Sequence, residues 1–134
     1  MHLLLSDHDA LYYLYHAPVE DRLPTFVFVN ALTGSTEAWE AAVAPALREA
    51  GFGTLSWNFR GQADSSFDQQ LELTEDVITA DLQRLLAEVA PTRPIIVGLS
   101  IGGLYAARAV LGGVRAEGLV LLNTLREIGP RIDW

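Results

Sequence analysis

Four short apolar runs constrain this chain more than any other feature: TFVFVN (25–30), GTLSWNF (53–59), IIVG (95–98) and GLVLLN (118–123). TFVFVN is rich in β-branched and aromatic residues and lacks the apolar–polar alternation of a strand with one wet face, so it suits burial on both faces. The other three runs read as buried strands of the same sheet. Stretches with helical spacing separate them. From residue 25 the order is strand, helix, strand, helix, strand, helix, strand, which calls for a mostly parallel sheet with helices on both faces. The expected parallel strands are Phe26–Asn30, Thr54–Asn58, Ile95–Gly98 and Leu119–Asn123.

The intervening helices have their own signals. TGSTEAWEAAVAPALREAG opens on cap-type residues and places Ala38, Ala41, Ala42, Ala46, Leu47 and Ala50 on one stripe, with Gly51 as its stop. Pro45 predicts a kink in that helix. Thr74, followed by Glu75 and Asp76, caps a second helix whose apolar positions are Val77, Ile78, Leu82, Leu85, Leu86 and Val89. SIGGLYAARAVLGG forms the third. Ahead of all this, Leu3 and Leu5, then Leu11, Tyr13 and Tyr15, alternate at period two around Ser6-Asp7-His8-Asp9. Residues 1–17 therefore read as an antiparallel hairpin at one sheet edge.

A chain of 134 residues, half of them hydrophobic, suffices for one core, so residues 1–134 are expected to form a single domain. The formal net charge of −8 repels phosphate backbones and anionic lipid, which argues against nucleic-acid and membrane partners. There is no cysteine, hence no disulfide framework and no thiolate metal site. MHLLL is too short for a signal-peptide core, and the apolar runs fall far below a bilayer span. The expected location is the cytoplasm.

The chemistry concentrates in PIIVGLSIGG (94–103), where Ser100 stands between Gly98 and Gly102 at a strand-to-helix junction. A nucleophile on so tight a turn adopts strained backbone angles, and its neighbours two residues away must be tiny. Gly98, Gly102 and Gly103 supply that room. The following helix aims its first N–H groups at the place where negative charge would develop. No His/carboxylate cluster has metal-ligand spacing and GLSIGG lacks a P-loop lysine, so no cofactor or metal is expected.

Three separated motifs give a resemblance. GLSIGG resembles the nucleophile elbow of the α/β-hydrolases. FVFVNALTGSTEAW resembles their strand and oxyanion loop, usually of His-Gly-x-x-x-Ser type. NFRGQADSS resembles their next loop, usually Asp-x-Arg-Gly-x-Gly-x-Ser. The resemblance covers essentially the whole chain and implies the N-terminal part of such a fold, an incomplete α/β-hydrolase core. It further implies Ser100 as nucleophile, with the backbone N–H groups of Leu32 and Ile101 as the oxyanion hole. Asn30 stands where His is usual, Ala31 replaces Gly, Asn58 replaces Asp and Ala63 the second Gly; none of these removes a backbone donor. Asn30 is expected to serve loop backbone rather than catalysis.

The family's triad runs Ser, then acid, then His along the chain. After Ser100 the carboxylates are Glu117, Glu127 and Asp133, and no histidine follows His16. His2, His8 and His16 all belong to the opening hairpin, far from the elbow. Without a base Ser100 keeps its proton, so the chain alone is expected to be inactive. The tail LREIGPRIDW ends on a Trp with nothing to pack under it, and the strand at 119–123 offers an apolar edge. The sequence thus reads as part of a larger hydrolase acting on a small-molecule ester, thioester or lactone-type acyl bond. Its partner would be a C-terminal portion carrying acid and His, or a second copy of the chain. An acyltransferase is a minor variant, given NALTG. From another class, the same residues fit a non-catalytic binding or partner protein of this fold, and the coding sequence beyond Trp134 separates the two.

Overall fold

Buried strands need both neighbours and covers, and the computed structural model, which describes residues 1–68 and 70–124, supplies them in one six-stranded sheet. Strands β1 (His2–Leu4), β2 (Ala10–His16), β3 (Thr25–Val29), β4 (Gly53–Trp57), β5 (Pro94–Leu99) and β6 (Gly118–Leu122) lie in the order β1-β2-β4-β3-β5-β6. The pairs β3–β4, β3–β5 and β5–β6 are parallel, as the sequence order demands. The hairpin β1–β2 is antiparallel, with Leu3 opposite Leu11, and β2 joins β4 antiparallel. Helices α1 (Thr36–Glu40), α2 (Val43–Glu49), α3 (Glu75–Val89) and α4 (Ile101–Leu111) fill the connections.

Side-chain alternation along the strands divides the core in two. Val27, Val29, Leu55, Trp57 and Ile96 pack with Ile78, Leu82 and Leu85 of α3 and with Tyr105, Ala106 and Ala109 of α4. The hairpin residues Leu3, Leu5, Leu11, Tyr13 and Tyr15 join this cluster, which is the face their period-two spacing selected. On the other side of the sheet Phe28 and Val97 pack with Trp39 and Ala44 from α1 and α2.

One expectation fails. The stretch 36–50 is not one kinked helix but two, broken at Ala42 (φ −152°, ψ −48°). Pro45 has no N–H to give, and its ring would collide with the carbonyl four residues back, that of Ala41, so the helix restarts and keeps Pro45 in its first turn. The break is bridged by side chains: Arg48 Nη2 lies 2.9 Å from Glu40 Oε2, and Ser56 Oγ donates to Glu40 Oε1 at 3.0 Å. The cap of α3 is as expected, with Thr74 Oγ1 accepting from the Val77 N–H.

The sheet's two edges differ. At the hairpin edge Arg60 forms a fork with Asp81 (both contacts 2.7 Å) and reaches Asp9 at 3.2 Å, tying the β1–β2 turn, the loop after β4 and α3 together. The Asp68 N–H donates to Asp9 Oδ1, and that bond, with Ser6 and Arg60, holds the Asp9 carboxyl below its usual range against the opposing effect of burial. At the other edge, β6 has no outer partner strand among the described residues. Leu119, Val120, Leu121 and Leu122 are 37%, 39%, 48% and 41% exposed, so both faces of this strand are only partly covered among the described residues. The tail 125–134, with the expected unpacked Trp134, lies outside the described residues. No helix among the described residues is long and apolar enough to cross a membrane.

Candidate active site

At the C-terminal end of β5 the chain reverses into α4 through a single residue. Ser100 has φ 55° and ψ −122°, left-handed backbone that a residue with a Cβ rarely adopts. It precedes the first residue of α4, Ile101, so the helix begins one position later than the pattern SIGGLYAARAVLGG suggests. Its side chain caps nothing, and its backbone N–H donates to the Leu122 carbonyl of β6 at 2.9 Å. The glycines explain how so sharp a turn fits. A Cβ on Gly98 would run into the backbone of Gly103, and one on Gly102 into the carbonyls of Val29 and Asn30 at the end of β3. One on Gly103 would strike the side chain of Thr124, which follows β6. The elbow is therefore pressed between the two strands flanking β5. The Ile101 N–H at the start of α4 donates to no acceptor among the described residues.

The neighbouring loop follows β3, which pairs with β5 so that Val29 lies beside Gly98. Its residues 30–36 include Leu32, which is 42% exposed. Three side-chain amides brace it. Asn30, buried, donates through Nδ2 to the Trp57 carbonyl (2.8 Å), to Asn58 Oδ1 (3.3 Å) and to Gln62 Oε1 (3.2 Å). Its Oδ1 accepts the Trp39 indole N–H at 2.8 Å. Asn58 Oδ1 also accepts the Thr36 N–H at 2.8 Å, at the start of α1. Gln62 reaches the Ala31 and Leu32 carbonyls at 3.1 and 2.7 Å. Asn30 does not serve loop backbone as expected: its amide meets the Trp57 carbonyl at the end of β4 and other side chains, and Gln62 instead satisfies carbonyls of the 30–36 loop.

A family model described as the alpha/beta hydrolase family matches residues 26–134. The chain belongs to the alpha/beta hydrolase family. Solved structures agree. A hydrolase from Pseudomonas aeruginosa PA01 is 29% identical, with a TM-score of 0.82 over 97% of this chain and 48% of that one. A bromoperoxidase from Bacillus anthracis is 30% identical, with a TM-score of 0.74 over 87% of this chain and 41% of that one. A carboxylesterase from the thaumarchaeon Nitrososphaera gargenis, 21% identical with a TM-score of 0.82 over 93% of this chain and 46% of its own, shares the fold. The chain spans about half the length of these alpha/beta hydrolases. No curated protein matches the sequence.

Set in this alpha/beta hydrolase sheet, the residues singled out by sequence divide clearly. Ser100, Ile101, Gly98 and Gly102 sit together at the elbow, and Leu32 lies in the loop after the adjacent strand. His2, His8 and His16 are exposed in the hairpin, which β4 and β3 separate from β5. Glu117 lies at the opposite end of the sheet, where its N–H donates to the Pro94 carbonyl at the start of β5. Its carboxylate pairs with Arg93 at 3.1 Å, which holds its pKa below the usual range. Glu127 and Asp133 lie outside the described residues. Sequence reasoning did not single out Gln62 or the Trp39 indole, because their partners are supplied by tertiary contact rather than by any local pattern.

Proposed function

We propose that this chain carries the nucleophile of a serine hydrolase acting on an ester, thioester or lactone-type acyl bond. The observation that supports it most is Ser100 alone at the β5–α4 reversal with φ 55°, in a turn whose neighbours admit only glycine. Strained angles of this kind persist where function holds them. In the proposed reaction Ser100 Oγ bonds to the acyl carbon while a base takes its proton. The carbonyl oxygen gains the negative charge and is met by the N–H groups of Leu32 and Ile101. Collapse breaks the bond to the leaving alcohol or thiol, which receives the proton, and water then releases the acid. The base and its carboxylate come from a C-terminal portion that completes the sheet at the edge of β6.

A second reading, a non-catalytic binding protein of this fold, draws on the placement of every histidine at the hairpin edge. One experiment separates the two. A fluorophosphonate probe is applied to the purified 134-residue chain and to the protein in its native cell, each with Ser100→Ala as control. The expected result is negligible labelling of the isolated chain and labelling at Ser100 in the native form. A native form that never reacts would leave the binding reading.

A further inference from the structure

We propose that Gln62 is a positioning residue: it orients the two successive peptide groups that present the Leu32 and Thr33 N–H donors, and so sets the Leu32 half of the oxyanion hole. The proposal rests on the Ser100 reading above but begins from a separate observation. Gln62 lies in the loop after β4, more than two strands' worth of sequence from Leu32. Its Nε2 donates to two successive carbonyls, Ala31 at 3.1 Å and Leu32 at 2.7 Å. Its Oε1 accepts the Phe59 N–H at 2.9 Å and the Asn30 amide at 3.2 Å. Every hydrogen-bonding position of the side chain is thereby used.

The consequence follows from peptide geometry. In a planar trans peptide the C=O of one residue and the N–H of the next point in opposite directions. Fixing the Ala31 carbonyl fixes the Leu32 N–H, and fixing the Leu32 carbonyl fixes the Thr33 N–H. Both donors then face away from Gln62, and neither makes a hydrogen bond among the described residues. Otherwise the Ala31 carbonyl takes only the Gly34 N–H, at 3.0 Å, and the Leu32 carbonyl has no second donor among those residues. The turn itself is open to solvent, so packing does not hold these planes. The clamp is itself anchored: the Gln62 N–H donates to the Phe59 carbonyl at 2.9 Å, Phe59 is buried, and Arg60 is forked onto Asp81.

Gln62→Glu tests this with little change of shape. It keeps the acceptor that serves Phe59 and Asn30, and replaces the donor nitrogen with an oxygen facing two carbonyls. The 15N order parameters of Leu32 and Thr33 should fall from the rigid value of about 0.85 to below about 0.6. The Gly34 amide should exchange about tenfold faster, while those of Leu82 and Leu85 in α3 keep their protection. In the native form acting on p-nitrophenyl butyrate, kcat should fall about ten- to a hundredfold with KM within about twofold, the pattern of an interaction made in the transition state. Should Gln62→Glu fail to fold, Gln62→Met, which also lacks the donor and brings no charge, is read by the same order parameters. Unchanged order at Leu32 and Thr33, or a raised KM with kcat intact, overturns the proposal. If no form hydrolyses the ester or takes up the fluorophosphonate, the Ser100 reading fails, and the positioning role in catalysis falls with it. In that case the order parameters still show separately whether Gln62 sets the loop.

Discussion

The two loops that meet at this site are held by different physics. The elbow, residues 98–103, is shaped by backbone pressed on backbone, with glycines where any Cβ would collide with β3, Gly103 or Thr124. The loop 30–36 is shaped by amide side chains from elsewhere in the chain, Asn30, Asn58 and Gln62, around the Trp39 indole. A steric constraint of the first kind has no adjustable partner. A hydrogen-bonded constraint of the second kind can be rebuilt from other residues of similar donors and acceptors. The elbow should therefore break on a single methyl, while the loop should respond in proportion to the bonds removed.

The largest effect is expected at Gly102. Its added Cβ would meet the carbonyls of Val29 and Asn30, which are backbone atoms of a central strand and cannot swing aside. Gly102→Ala should leave no cooperative urea transition, or lower stability by about 3 kcal/mol or more, the upper range for overpacking. A loss under about 1 kcal/mol would show that the elbow yields, and the contrast with the loop would disappear. A smaller effect is expected at Asn30. Asn30→Leu fills the space but leaves the buried Trp39 N–H without its acceptor, at a cost of about 2–3 kcal/mol. Adding Trp39→Phe removes the orphaned donor and should recover part of that loss, provided the ring still stacks on Phe28, whose centroid lies 4.6 Å from that of Trp39. Amide shifts from Ser100 to Gly103 should not move in either variant. If they do, the two loops are one mechanical unit.

The same contrast decides what could be read in the sequence. The elbow was legible because its cause is local: glycines at fixed spacing around Ser100, between a branched apolar run and a helical one. The sheet was legible for a similar reason, since buried strands and capped helices announce themselves through patterning, as Thr74 and the Leu3–Leu11 pairing illustrate. The break at Ala42 was half legible. Pro45 marked the disturbance, but the Glu40–Arg48 and Glu40–Ser56 contacts that bridge the two short helices join residues that no local pattern pairs. The amide brace was not legible at all. Asn30 and Gln62 are 32 residues apart, and nothing near Gln62 signals that its nitrogen meets two carbonyls of another loop.

The finest test of the contrast is Asn58, where related hydrolases usually carry Asp according to the motif resemblance. Asn58 is fully buried, and its Oδ1 accepts the Thr36 N–H at 2.8 Å and the Asn30 amide at 3.3 Å. Its Nδ2 has no partner among the described residues. Asn58→Asp keeps the accepting oxygen and replaces the unpartnered donor with an acceptor that is equally unpartnered, so the penalty of about 1–3 kcal/mol for an unsatisfied buried atom stays in place. A carboxylate also loses its hydration in the interior. Both surviving hydrogen bonds become charge-assisted and offset part of that loss. Charge assistance offsets the lost hydration only in part, so Asn58→Asp should lower stability by about 1–2 kcal/mol in urea denaturation at pH 7. That outcome would show the brace to be exchangeable residue by residue, as a hydrogen-bonded constraint should be. A loss beyond about 2 kcal/mol would instead mean that Asn30 and Asn58 depend on one another as a pair, and that the loop is as exacting in its side chains as the elbow is in its glycines.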